Sequence, residues 1–188
     1  MISFNLDIIK LMVFMNKNKQ KQKMRSFVTM QELLISEFID LMRQKNLTFG
    51  FAESCSGGLL SAWITRRPGV SQYFLGSVVS YSNAVKQDIL QVEHTTLENH
   101  GAVSSQVARE MTVGARRILK VDVSAAITGI AGPSGGTKEK PIGLVFIAIS
   151  GPGFEEIETL QLTGDRESIQ AQSCEHALRM MIRCLRKK

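Results

Sequence analysis

The chain of 188 residues, 44% apolar and 21% charged, has the composition of one globular domain, long enough to bury a core without disulfides or metal. Its three cysteines (Cys55, Cys174, Cys184) and three histidines (His94, His100, His176) show no paired or metal-ligand spacing, which argues against a disulfide framework or a zinc site and fits a reducing, cytoplasmic setting. The net charge of +6 lies at the ends, +5 over residues 1–28 and +5 over 179–188 against −4 between them, and no nucleic-acid-binding motif accompanies it.

Residues 1–28 open with "MISFNLDIIKLMVFM", which Asp7 and Lys10 interrupt and which falls short of the roughly 20 apolar residues that span a bilayer. Their basic cluster follows the apolar stretch, the wrong order for a signal peptide. They are expected to form a disordered leader ahead of a single domain over 29–188. "QELLISEFIDLMRQKN" has helical spacing, and a strand is predicted over 47–52. The turn "AESCSGG" follows, then a helix to about Arg66 that "RPGVS" stops. "YFLGSVVSYS" predicts a second strand, with Asn83 capping a short helix through Leu90.

"SSQVAREMTVGARRILK" predicts an amphipathic helix that starts at Ser104 or Ser105 and turns Val107, Met111, Ala115 and Ile118 inward. "VDVSAAIT" is a third strand and runs into the glycine-rich loop "GIAGPSGGTKEKP". "IGLVFIAIS" and "EIETLQL" are a fourth and a fifth, and a last helix begins near Glu167. Alternating strands and helices predict an α/β fold with helices on both sheet faces. "GPGFE" is too short for a parallel crossover, so the five-stranded sheet should be mixed.

Three segments fall at carboxyl ends of strands, where doubly wound sheets gather ligands: "AESCSGG", "YSNAVK" and "TGIAGPSGG". The glycine loop is neither a Walker A motif nor a dinucleotide fingerprint. Ser54, Cys55 and Ser56 compete as nucleophiles, with no G-x-S-x-G or S-x-x-K pattern around them. His94 and His100 lie on a polar, surface-like segment, which leaves a lysine base such as Lys86 as the alternative. In an extended segment Cys55 should point away from Ser54 and pack as a small hydrophobe, while Ser56 should cap the next helix.

Together "AESCSGG", "YSNAVK", "GAVS", "TGIAGPSGG", "KPIG" and "GDR" resemble the CinA C-terminal domain family over about residues 31–186. Its stand-alone members include nicotinamide mononucleotide amidohydrolases of the PncC type. Ser56 stands where the family usually has threonine, and the hydroxyl is kept. The resemblance implies a three-layer α/β/α sandwich around a mostly parallel, mixed five-stranded sheet. It implies hydrolysis of the nucleotide's carboxamide to the acid and ammonia, with no metal and no other cofactor. Ser54 matches the nucleophile, Lys86 its base, Tyr81 an assisting hydroxyl and Arg166 a partner for the substrate phosphate. Glu53, Ser56, Gly57, Gly58, Asn83, Gly129, Ile130, Ala131 and Gly132 would complete the substrate site. Amides at the Gly57 turn would hold the oxyanion, and burial or Arg166 would lower the Lys86 pKa. The expected partner is a small pyridine nucleotide, with no nucleic acid and no membrane, in a homo-oligomer, a dimer being favoured. A non-catalytic member that keeps the pocket to bind a nucleotide or a protein partner is the alternative.

Overall fold

The computed structural model describes residues 29–187, so the leader expected over 1–28 lies outside the described residues. A compact unit runs from Leu34 onward. Helix α1, Met30–Lys45, is entered through a capping box: Thr29 N–H donates to the Glu32 carboxylate at 2.8 Å, and Glu32 N–H to Thr29 Oγ1 at 3.2 Å. Further along, the 3.6-residue period turns Leu34, Ile35, Phe38 and Met42 inward.

Strands β1 (Phe49–Glu53), β2 (Phe74–Val79), β3 (Val123–Gly129), β4 (Leu144–Gly151) and β5 (Phe154–Gln161) form one sheet in the order β2-β1-β3-β4-β5. β1 pairs in parallel with β2 and β3, and β4 pairs antiparallel with β3 and β5, so β4 alone runs against the rest. The expected mixed, mostly parallel sheet is what forms. The period of two along each strand sends alternate residues to opposite layers.

Phe49 and Phe51, Ala125 and Ile127, and Ile147 and Ile149 join one core with α1, α2 (Leu59–Thr65) and α6 (Arg166–Arg186). Phe38 meets Phe49 edge-on at 4.7 Å between ring centres. Each Phe or Ile among them contributes about 1.5–3 kcal/mol on full burial. On the other face the strands offer Ala52, Ala126 and Ala148, and α5 (Ser105–Leu119) packs there through Val107, Ala108, Met111 and Ala115. Two helical layers enclosing a sheet make the α/β/α sandwich.

Three details depart from the sequence reading. Ser82, not Asn83, caps α3 (Asn83–Asp88), its side chain accepting from Val85 N–H at 3.2 Å. A short polar helix, α4 (His94–His100), had no apolar period to announce it and buries only Leu97. Ile118 is exposed, and Leu119 takes the inward place, because Gly50 has no side chain in its way: a Cβ there would lie 2.6 Å from a Leu119 methyl.

The connections position the site. α2 links β1 to β2 across one face, and α5 links β2 to β3 across the other. The carboxyl ends of β2, β1 and β3 therefore open side by side at a switch point, where a crevice forms. The glycine loop leaves β3 there and returns directly into antiparallel β4. Its base is pinned by Ile130 N–H on Leu144 O (2.9 Å) and Gly143 N–H on Ile130 O (2.8 Å). Among the described residues no helix is long and apolar enough to cross a membrane.

Candidate active site

Glu53 closes β1 and is fully buried. One carboxylate oxygen accepts from Gly58 and Leu60 N–H at 3.0 and 3.1 Å, the other from Ser61 N–H at 2.9 Å and Ser61 Oγ at 2.5 Å. The chain doubles back to meet this carboxylate through two left-handed residues, Gly57 (φ 65°) and Gly58 (φ 97°), a conformation costly for any residue with a Cβ. Glu53 thus acts as the anion that satisfies its own helix start.

This corrects four expectations. Glu53 turns to α2 and does not line the cleft. Gly57 and Gly58 serve the turn. The Ser56 side chain caps nothing: Gly58 is the N-cap of α2, the Ser56 hydroxyl is buried without a hydrogen-bond partner among the described residues, and of the amides it would have capped, Gly58 N–H goes to Glu53 and Leu59 N–H to the Ser56 carbonyl. Those same amides are not open to an oxyanion. Glu53→Ala should therefore destabilise the fold by about 2–3 kcal/mol in urea unfolding, with Glu53→Gln intermediate.

Ser54 comes next, its N–H held by Ile127 O on β3 at 2.9 Å. Its hydroxyl accepts a hydrogen bond from Lys86 Nζ at 3.0 Å. Lys86 reaches in from α3, is 1% exposed, and also donates to Ser80 O at 2.6 Å. Among the described residues no carboxylate lies within ion-pair distance of it. Burial lowers the Lys86 pKa from its ordinary value, so desolvation, and not Arg166, has this effect. Cys55 packs into the main core, and burial pushes its thiol up to about 12, which leaves it unionised and a poor nucleophile.

Ser54 and Lys86 open onto a cleft of about 260 Å³ that Gly129, Ile130, Ala131 and Gly132 also line. Arg166, the first residue of α6, bridges its mouth: Nη1 donates to Gly132 O at 2.6 Å and Nη2 to Tyr81 Oη at 2.9 Å. No carboxylate pairs with Arg166 among the described residues. Tyr81 lines the cleft but is 63% exposed and hydrogen-bonds to neither Ser54 nor Lys86, which corrects its expected place beside the proton transfer. Asn83 is exposed on the outside of α3, away from the cleft lining.

Sequence reasoning missed two contributors. The Ser80 carbonyl, which orients Lys86, carries no side-chain signal. Lys140, within "KPIG", donates to His100 O at 2.5 Å and Val103 O at 2.7 Å, and so ties the glycine loop to the 102–103 wall. Gly101 makes room for it, since a Cβ there would sit 3.1 Å from Nζ. Among the described residues no group of three or more His, Cys, Asp or Glu is placed to hold a metal ion.

The model of the CinA C-terminal domain matches residues 31–185. The chain belongs to this family. A CinA-like protein of Pseudothermotoga lettingae is 39% identical over 158 residues, covering 84% of this chain and 38% of that protein. Another, from Syntrophomonas wolfei, is 49% identical over 135 residues, covering 72% and 32%. The chain thus spans well under half the length of these curated relatives. Among solved structures, a CinA superfamily protein of Klebsiella pneumoniae superposes with a TM-score of 0.82 at 30% identity, covering 85% of this chain and all of that one. A competence/damage inducible protein of Agrobacterium tumefaciens gives 0.81 at 35% identity, covering 86% and 98%. In this CinA domain the pairing of Ser54 with Lys86 spans two segments 32 residues apart that only the fold brings together.

Proposed function

We propose that this CinA domain is an amidase that hydrolyses the carboxamide of nicotinamide mononucleotide to nicotinate mononucleotide and ammonia, with Ser54 as nucleophile and Lys86 as its base. The observation that carries the reading is a buried lysine, without a carboxylate partner among the described residues, 3.0 Å from a serine hydroxyl in a cleft. A structural lysine would be expected to pair with an acid; a desolvated one beside a hydroxyl is suited to take its proton.

In the first step neutral Lys86 accepts the Ser54 proton as Oγ bonds to the carboxamide carbon, and the carbonyl oxygen becomes an oxyanion. Ser80 O holds one N–H of the amine, which leaves the lone pair to face Ser54. Since Glu53 occupies the α2 amides, the oxyanion's donors must come from elsewhere in the cleft lining, where the amides of Cys55, Ala131 and Gly132 are among those that donate to no backbone carbonyl among the described residues. The Lys86 ammonium then protonates the departing nitrogen, and ammonia leaves an acyl-Ser54 ester. Water, losing a proton to Lys86, attacks the ester and releases the acid, and the proton returns to Ser54.

Arg166 supplies a planar cation for the phosphate. Arg166→Lys should raise KM for the phosphorylated substrate about tenfold. The riboside, which has no phosphate, should lose little more in this variant than it already lacks. Equal harm to both substrates would remove this role. The amidase reading itself is tested by incubating the purified chain with nicotinamide mononucleotide and a chelator, then assaying ammonia and the acid nucleotide. Formation of neither product by folded protein between pH 6 and 10 would overturn it.

A further inference from the structure

Tyr81 stands apart from the groups assigned to proton transfer. Among the described residues it is the only aromatic one lining the cleft, and no other ring packs against it. Its backbone is fixed where β2 ends, and its hydroxyl is held by Arg166, whose other donor is anchored on Gly132 O. The ring is therefore exposed yet oriented, the condition under which an aromatic face recognises a ligand with little further ordering.

The charges around it sharpen the question of what it meets. Among the described residues the cleft lining contains two cations, Lys86 and Arg166, and no aspartate or glutamate. A positively charged ring entering this space meets no carboxylate, and the attractive surface left to it is the electron-rich face of Tyr81. We infer that Tyr81 selects for a cationic heteroaromatic ring, its π face covering the pyridinium while Arg166 beside it takes the phosphate. This rests on the nicotinamide nucleotide reading above. That nucleotide carries a fixed positive charge on its ring and a negative phosphate one ribose away, and the Tyr81–Arg166 pair offers a π face and a guanidinium as neighbours in the same sense.

The test uses the full chain carrying Ser54→Ala, so that ligand is bound and not consumed, with Kd measured by equilibrium dialysis. The two probes are nicotinamide mononucleotide and its reduced dihydro form, whose ring is uncharged. Tyr81→Leu should weaken the oxidised ligand by about 5- to 20-fold and the reduced one by less than about twofold. Tyr81→Phe keeps the π face and should stay within about threefold for both. With Ser54 intact, the Tyr81→Leu loss should fall on KM and not on kcat. Equal weakening of both probes by Tyr81→Leu, or no binding of the oxidised nucleotide at millimolar concentration, would overturn the inference. So would a fall in kcat of about 100-fold or more in Tyr81→Phe, the mark of a proton-carrying hydroxyl. Selective, Tyr81-dependent binding by a protein that releases no ammonia would remove the amidase reading and leave this one standing.

Discussion

Ser54→Ala and Lys86→Met should each reduce ammonia release from nicotinamide mononucleotide by roughly 10³- to 10⁶-fold, and the double variant should lose little more than either single one. In the proposed mechanism the two groups, 3.0 Å apart, act on one proton, so removing either would leave the other without a task. Cys55→Ala should stay active, because a buried thiol with a pKa of about 12 has no thiolate to offer. Single-turnover assays on purified variants, with far-UV dichroism to verify folding, separate these outcomes. A Ser54→Ala protein with an undiminished rate would end the assignment.

The second large effect is on pH. Burial lowers the Lys86 pKa below its ordinary 10.5, so kcat/KM should rise with pH to a plateau whose midpoint lies below that value. The same shift has a stability consequence with a definite sign. Between the depressed folded pKa and 10.5 the unfolded chain holds a proton that the folded chain has released, so stability rises with pH across that window. Below it the burial of Lys86 opposes folding. Urea midpoints measured from pH 7 to 10 should therefore climb more steeply for the wild type than for Lys86→Met, which has no such group to titrate. Parallel curves would mean that Lys86 titrates alike in both states.

The fold was largely legible because its signals are periodic. The short apolar run in "VDVSAAIT", the helical spacing in 31–46 and the short "GPGFE" link each constrain one element locally. The site was legible to the extent that three motifs stand at carboxyl ends of adjacent strands. What escaped was decided by competition between groups distant in sequence or invisible as side chains. Ser56 looked like a cap because serine before a helix often is one, yet the Glu53 carboxylate takes Gly58 N–H, along with those of Leu60 and Ser61. Tyr81 lies five residues before Lys86, but the turn through Ser82 sends the ring to the cleft mouth while the amine goes to the floor. Ser80 contributes a carbonyl, which every residue has. Lys140 acts across 37 to 40 residues on carbonyls that no sequence pattern marks.

The direction of β4 has a bearing on how such a site can diversify. Because β4 runs antiparallel to β3, the residues between them form a long hairpin-like excursion that begins and ends at one edge of the crevice, closed at its base by the Ile130, Gly143 and Leu144 backbone bonds. A parallel neighbour would have required the chain to travel back along the sheet, tying the segment's length to the thickness of the layers. Here the roof of the pocket can lengthen or shorten at a cost that grows only with the logarithm of its size, about 0.6 kcal/mol per doubling. The serine and lysine hang from β1 and α3, on the other side of the opening. The length of this roof is thus adjustable without moving Ser54 or Lys86, and loop grafts between relatives should leave the hydrogen bond between them in place.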